Sequence, residues 1–135
     1  MGTFTGKTIL ITGASEGIGR ALALALAPQR PRLALVARSA TRLESAAREC
    51  TALGAEAVAL PADLARPGDC ARVVQLATER FGGLDVLVNN AGVTMLSRFE
   101  AVSDLGVFGH LLAVNYLAAV HLTAAALPHL RRTRG

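Results

Sequence analysis

Gly13, Gly17 and Gly19 are the residues whose type and spacing speak first to chemistry. The stretch Ile9-Leu10-Ile11-Thr12-Gly13-Ala14-Ser15-Glu16-Gly17-Ile18-Gly19 passes from an apolar run into a glycine-punctuated turn, and a helix-forming run, Arg20 to Ala27, follows at once. That order suits the diphosphate of a nucleotide. Gly13 can take backbone angles that a Cβ would forbid, and Gly17 lets the main chain approach an anion closely. Gly19 lets the new helix pack tightly on the strand, so that its free N–H groups and positive dipole end face the phosphates. The spacing is T-G-x-x-x-G-x-G rather than the G-x-G-x-x-G of the commonest dinucleotide fingerprint.

Such a turn works only if flanking elements hold it. Apolar, strand-like runs at Thr8–Thr12, Leu33–Ala37, Ala57–Leu60 and Val86–Asn89 alternate with longer helical patterns. The first three are apolar without alternation, as expected of strands covered on both faces. The first helix places Ile18, Ala21, Leu22, Ala25 and Leu26 on one stripe and stops at Pro28. The second starts from Ser39 as N-cap and runs to Leu53, where Gly54 ends it. The third opens with Pro67 and ends at Gly82-Gly83, and a long last helix spans about Leu105 to His129. Strand–helix alternation with short connections predicts an α/β fold, a Rossmann-like doubly wound parallel sheet, in one domain over residues 1–135. Ligands of such sheets bind at the carboxyl ends of the strands.

Composition excludes several classes. Apolar residues make up 52% of the 135 residues with few aromatics, which suits Ala/Leu/Val-rich helices on a parallel sheet. The net charge of +4 is spread along the chain except for Arg131, Arg132 and Arg134, so no clustered basic face for nucleic acid is expected. The longest apolar run, Leu111 to Leu127, is interrupted by Asn115, Tyr116, His121 and Thr123 and falls short of the roughly 20 residues a bilayer requires, so no membrane partner is expected. Cys50 and Cys70 lack metal-ligand spacing and fit a reducing, cytoplasmic setting. His110, His121 and His129 lack carboxylate or cysteine partners at ligand spacing, so no metal is expected.

The strand ends carry the remaining polar residues: Arg38-Ser39 after the second, Asp63-Leu64 after the third, Asn89-Asn90-Ala91-Gly92 after the fourth. With Thr12-Gly13-x-x-x-Gly17-x-Gly19 and Asn115, this set resembles the short-chain dehydrogenase/reductase family, in order and spacing, over essentially the whole chain. The resemblance implies that Gly13, Gly17, Gly19 and the Ser15–Ile18 backbone, Glu16 included, hold the diphosphate and adenosine ribose. It implies that Asp63 accepts from the adenine amino group, with Leu64 supplying a backbone N–H. Asn89, Ala91 and Gly92 would line the nicotinamide ribose, the Asn-Asn pair also bracing the sheet. Asn115 would belong to the catalytic set, positioning a water in a proton relay. The implied strand order is 3-2-1-4.

The end of the second strand selects the cofactor. An acid there binds a ribose 2′-hydroxyl, whereas an arginine nearby accommodates a 2′-phosphate. Ala37 stands in the acid's place and Arg38 follows. A guanidinium pairs bidentately with phosphate, so NADP(H) is expected in preference to NAD(H). Glu16 runs the other way, because this turn position is basic in some NADP-using relatives.

Hydride transfer to a carbonyl also needs an acid for the developing alkoxide. The family takes it from a serine and a Tyr-x-x-x-Lys pair. Here the one tyrosine, Tyr116, has Val120 four residues on, and the one lysine is Lys7. The expectation is therefore a cofactor-binding part truncated before the catalytic residues. Its open sheet edge should leave the isolated chain marginally stable, and its substrate is a small alcohol or carbonyl compound in a homo-oligomeric full-length enzyme. If the natural product ends at Gly135, a dinucleotide-binding but catalytically silent protein is the alternative. A remote one is a serine hydrolase, with Ser15 in a G-x-S-x-G elbow and Asp63 and His110 following in triad order; it leaves Gly19, Arg38 and Asn89-Asn90-Ala91-Gly92 without a purpose.

Overall fold

A computed structural model describes residues 2–135. Four strands, β1 (Thr8–Thr12), β2 (Arg32–Ala37), β3 (Glu56–Pro61) and β4 (Val86–Val88), form one parallel sheet in the order β3-β2-β1-β4. Ile11 of β1 sits beside Leu35 of β2 and Val88 of β4. The carboxyl ends of the central strands therefore lie level, which is what places their following turns around one groove.

The helices are α1 (Gly17–Leu26), α2 (Ala40–Ala52), α3 (Pro67–Phe81), α4 (Gly106–Leu112) and α5 (Ala118–Thr133). Alternate residues of each strand serve opposite layers. Ile9, Ile11, Leu33 and Leu35 pack with Ala23 of α1 and with Leu43, Ala46 and Cys50 of α2. Leu10, Ala34, Val36 and Leu60 pack with Val73, Val74 and Ala77 of α3 and with Ala118, Leu122 and Ala126 of α5. Both faces are covered, and this explains the unbroken apolar runs of β1 and β2.

The first helix differs from the sequence expectation. Its buried line is Gly19, Ala23 and Ala27, at intervals of four, while Ile18 is 79% exposed. Only small residues fit where α1 crosses β1 closely, so the larger apolar side chains are pushed to the flanks of the contact. Ser39 does cap α2, its hydroxyl accepting from the Arg42 N–H at 3.4 Å. Gly82 ends α3 in the left-handed region, φ +81°.

The last helix is longer than expected. α4 and α5 join through a π-helical turn, Ala113–Leu117, into one stretch of 28 residues, Gly106–Thr133, long and apolar enough to cross a membrane by length and composition. The expected helix, Leu105 to His129, passes through Asn115, Tyr116, His121 and Thr123, which break the apolar run but not the helix, and it stops four residues short of Thr133. Its far end is tied to the sheet by the Thr133 hydroxyl, which donates to the Leu84 carbonyl at 2.9 Å. Asp85 anchors the start of β4 by accepting from the Thr8 N–H at 2.8 Å. Among the described residues, β4 has no neighbour on its outer edge.

Candidate functional site

The turn after β1 is locked from behind. Gly13 has φ +67°, and a Cβ there would stand 2.9 Å from both the Ala91 Cα and the Asn90 Nδ2. A Cβ on Gly19 would overlap the Gly13 carbonyl oxygen and lie 2.6 Å from the Asn90 Nδ2. These two glycines are thus packing residues beneath the turn. Gly17, with φ +57°, is their opposite: a Cβ there would have no neighbour within 4 Å, so the bare backbone leaves space on the groove side.

The groove in front has a volume of about 460 Å³ and is lined by Gly13, Ser15, Glu16, Gly17 and Ile18 from the turn, by Arg38, Ser39 and Arg42 beyond β2, by Asp63 and Leu64 beyond β3, and by Ala91, Gly92 and Val93 beyond β4. Glu16 precedes α1 in an extended conformation and makes no side-chain cap bond. The first N–H groups of α1 therefore stay free at the groove, where the helix dipole favours an anion. A phosphate-bearing dinucleotide fits this cradle: exposed N–H groups, a glycine where a side chain would intrude, and guanidinium groups further along.

Those guanidinium groups lie past β2. Arg38 leaves the strand end, and Arg42 follows one helical turn into α2. Arg42 Nη1 pairs with Glu16 Oε2 at 2.8 Å across the groove mouth. Below it Arg20 of α1 pairs with Glu49 of α2, so two ion pairs of opposite polarity join α1 to α2. Arg42 escaped the sequence reading. The available signal was its place one turn after the Ser39 cap, where a side chain points back toward the strand ends.

Asp63 is held by its neighbours. Its N–H donates to Asp69 Oδ2 at 2.8 Å, its Oδ1 accepts from the Ala65 N–H at 3.1 Å, and its Oδ2 lies 3.7 Å from Arg66 Nε. The Asp63 N–H that Asp69 accepts, with Arg72 and Arg66 adding, holds the Asp69 carboxyl below the ordinary carboxylate range. Asp69, too, was missed from the sequence, since nothing in its spacing shows that it folds back on the turn.

The Asn-Asn pair divides. The Asn90 Nδ2 donates to the carbonyls of Thr12 at 3.0 Å and Gly13 at 3.4 Å, bracing the turn. Asn89 turns to α5, where its Nδ2 donates to Thr123 Oγ1 at 3.3 Å, and it lines a small hollow beside the groove with Ala91, Val114 and Asn115. The reason is alternation along the strand: Asn89 follows Leu87 toward the α3/α5 layer, and Asn90 follows Val88 toward the α1/α2 layer.

Asn115 falls within the π turn, at the back of the groove. Its Oδ1 accepts from the Val93 N–H at 2.8 Å and its Nδ2 donates to the Val93 carbonyl at 2.7 Å. The side-chain amide thus fixes the chain leaving Gly92, at the point where the π turn interrupts the regular helical ladder.

The hydrolase alternative finds no support. Among the described residues no hydrogen bond joins Ser15 to His110 or His110 to Asp63, and His110 does not line the groove.

Comparison with known proteins agrees with this geometry. The family described as short chain dehydrogenase matches residues 7–135. The chain is 45% identical over 131 residues to 11-beta-hydroxysteroid dehydrogenase 1A of Arabidopsis thaliana, covering 96% of this chain and 38% of that protein. A metagenomic short-chain oxidoreductase in complex with NADP superposes with a TM-score of 0.91 at 32% identity, over 98% of this chain and 60% of that one. NADH-dependent reductase A1-R′ complexed with NAD gives a TM-score of 0.87 at 32% identity, over 96% and 54%. Fold, groove and relatives converge, and the chain belongs to the short-chain dehydrogenase family.

Proposed function

We propose that this chain is the cofactor-binding part of an NADP(H)-dependent oxidoreductase acting on a small alcohol or ketone. The observation that carries the reading is Arg38 on the groove wall at the end of β2, where Ala37 replaces the acid of NAD-binding sites. The free N–H groups at the start of α1 bind the diphosphate, and Arg38 binds the ribose 2′-phosphate. Asp63 accepts from the adenine amino group through the lone pairs left by Ala65 and Arg66. Ala91 and Gly92 flank the nicotinamide ribose, with Asn115 holding the Val93 backbone behind them.

The bound nicotinamide would supply or accept the hydride. Protonation of the alkoxide then needs an acid, and no tyrosine or lysine lines the groove. The chain spans 38% of the hydroxysteroid dehydrogenase it resembles, and we assign the acid to a segment outside these residues. The exposed apolar residues Leu112, Tyr116, Leu117 and Val120 support a homo-oligomeric whole. The 28-residue helix serves as a packing helix in this reading, since Ala118, Leu122 and Ala126 are buried against the core. The free, buried thiols Cys50 and Cys70 support a cytoplasmic setting. The deciding experiment is oxidation of NADPH and NADH by the full natural chain against a panel of apolar ketones. Turnover with NADPH ahead of NADH is expected; ester hydrolysis without dinucleotide turnover would overturn the proposal, and tight dinucleotide binding without any turnover would favour the silent alternative.

A further inference from the structure

Glu16 poses a problem for phosphate recognition. It is an acid on the wall of the groove that is meant to receive a phosphate, and a bare carboxylate there repels the ligand. Its partner resolves the conflict. Arg42 neutralises Glu16 at 2.8 Å, and both side chains are largely exposed, at 59% and 71%. An exposed pair of this kind contributes little to stability and exchanges partners readily.

We propose that Arg42 is a second specificity-determining residue for the ribose 2′-phosphate, kept in place by Glu16 and released to the phosphate when NADP(H) binds. The inference rests on the NADP(H) reading above. A 2′-phosphate carries more charge than a carboxylate and offers three acceptor oxygens, so it competes with Glu16 for the guanidinium fork. Arg38 and Arg42 share the groove wall beyond β2 and can hold the phosphate from two sides. With NAD(H) nothing competes, and the Glu16–Arg42 pair stays closed. Formally the corner carries two guanidinium charges and one carboxylate, a net positive balance that favours the extra phosphate. Glu16 thus competes with the phosphate for the guanidinium, and its cost to binding is confined to the exchange.

The test uses the full natural chain and dissociation constants for NADPH and NADH from reduced-nicotinamide fluorescence, with adenosine 2′,5′-bisphosphate as a competitor that lacks the nicotinamide. Arg42→Met is expected to weaken NADPH and the bisphosphate roughly tenfold while leaving NADH within about twofold. Glu16→Gln is expected to tighten NADPH about threefold, and that gain should vanish in the Arg42→Met background. Unchanged melting temperatures and the intermediate behaviour of Arg42→Lys exclude a folding defect as the cause. Equal loss of NADPH and NADH in Arg42→Met, or no loss of either, overturns the inference if Arg38→Ala still weakens NADPH far more than NADH. Equal weakening of both dinucleotides in Arg38→Ala overturns the NADP(H) reading itself and this inference with it.

Discussion

Thr12 and Asn90 are bound to each other twice. The Asn90 N–H donates to the Thr12 hydroxyl at 3.0 Å, and the Asn90 Nδ2 donates to the Thr12 carbonyl at 3.0 Å. The same hydroxyl accepts from the Ala91 N–H at 2.9 Å and donates to the Val88 carbonyl at 3.3 Å. One buried threonine therefore fixes where the turns after β1 and β4 stand, and the two turns face each other across the groove.

Thr12→Val keeps the shape and removes this junction. Two backbone N–H groups lose their acceptor, and an unsatisfied buried group costs about 1–3 kcal/mol. The expected destabilisation is roughly 2–4 kcal/mol, seen as a lower urea midpoint with an unchanged slope. A shift indistinguishable from that of an exposed Thr→Val control would show that the junction carries no stability.

Gly19 and Gly17 should separate packing from binding. Gly19→Ala forces a methyl group into the Gly13 carbonyl and is expected to cost about 1–3 kcal/mol of stability. Gly17→Ala meets no atom but holds a positive φ, so it costs about 1 kcal/mol of strain and lowers dinucleotide affinity more than stability. Thermal unfolding and dinucleotide titration on both variants measure the two quantities.

Arg38→Ala is expected to weaken NADPH binding by about 10- to 100-fold, the loss of one or two charge-assisted hydrogen bonds, and NADH by about twofold or less. Equal losses with the two dinucleotides would contradict the role given to Arg38.

Acid should loosen the Asp63 turn through Asp69. The folded Asp69 carboxyl lies below its ordinary value of 3.8, so its contribution is present above that pH and is lost as pH falls through the folded value. Wild type should therefore exceed Asp69→Asn in stability at neutral pH, with the gap closing below about pH 4. Parallel urea titrations of both proteins across that interval test it; a constant gap would exclude Asp69 as the source.

The sheet order and the groove were legible because their signals are local or periodic. Unbroken apolar runs mark covered strands, and the glycine spacing marks the turn. Ala37-Arg38 marks the end of β2 that opens on the groove. The stripe on α1 was misread because close packing on β1 selects small residues, and a count of apolar positions favours large ones. Strand alternation, carried one residue past Val88, already separates Asn89 from Asn90. Arg42 meets Glu16 only because α2 packs beside α1, 26 residues on in sequence, whereas Asp69 reaches the Asp63 turn through a local fold-back at the start of α3 that no spacing rule marks. The last helix was legible through Asn115 and His121, and only its final residues, Leu130–Thr133, fall beyond the apolar pattern that marked it.

The π turn makes the last helix behave as a lever with its fulcrum at Asn115. One arm, α5, is clamped to the core by Ala118, Leu122 and Ala126, and the other, α4, buries no residue at all. The amide at the fulcrum grips Val93 on the groove floor. One residue of extra winding sets the angular phase between the arms, about 100° per residue. Removing a single residue of this turn other than Val114, which itself lines the groove, would swing the unburied arm around the helix axis and carry the groove floor with it, although no side chain in the groove had been changed.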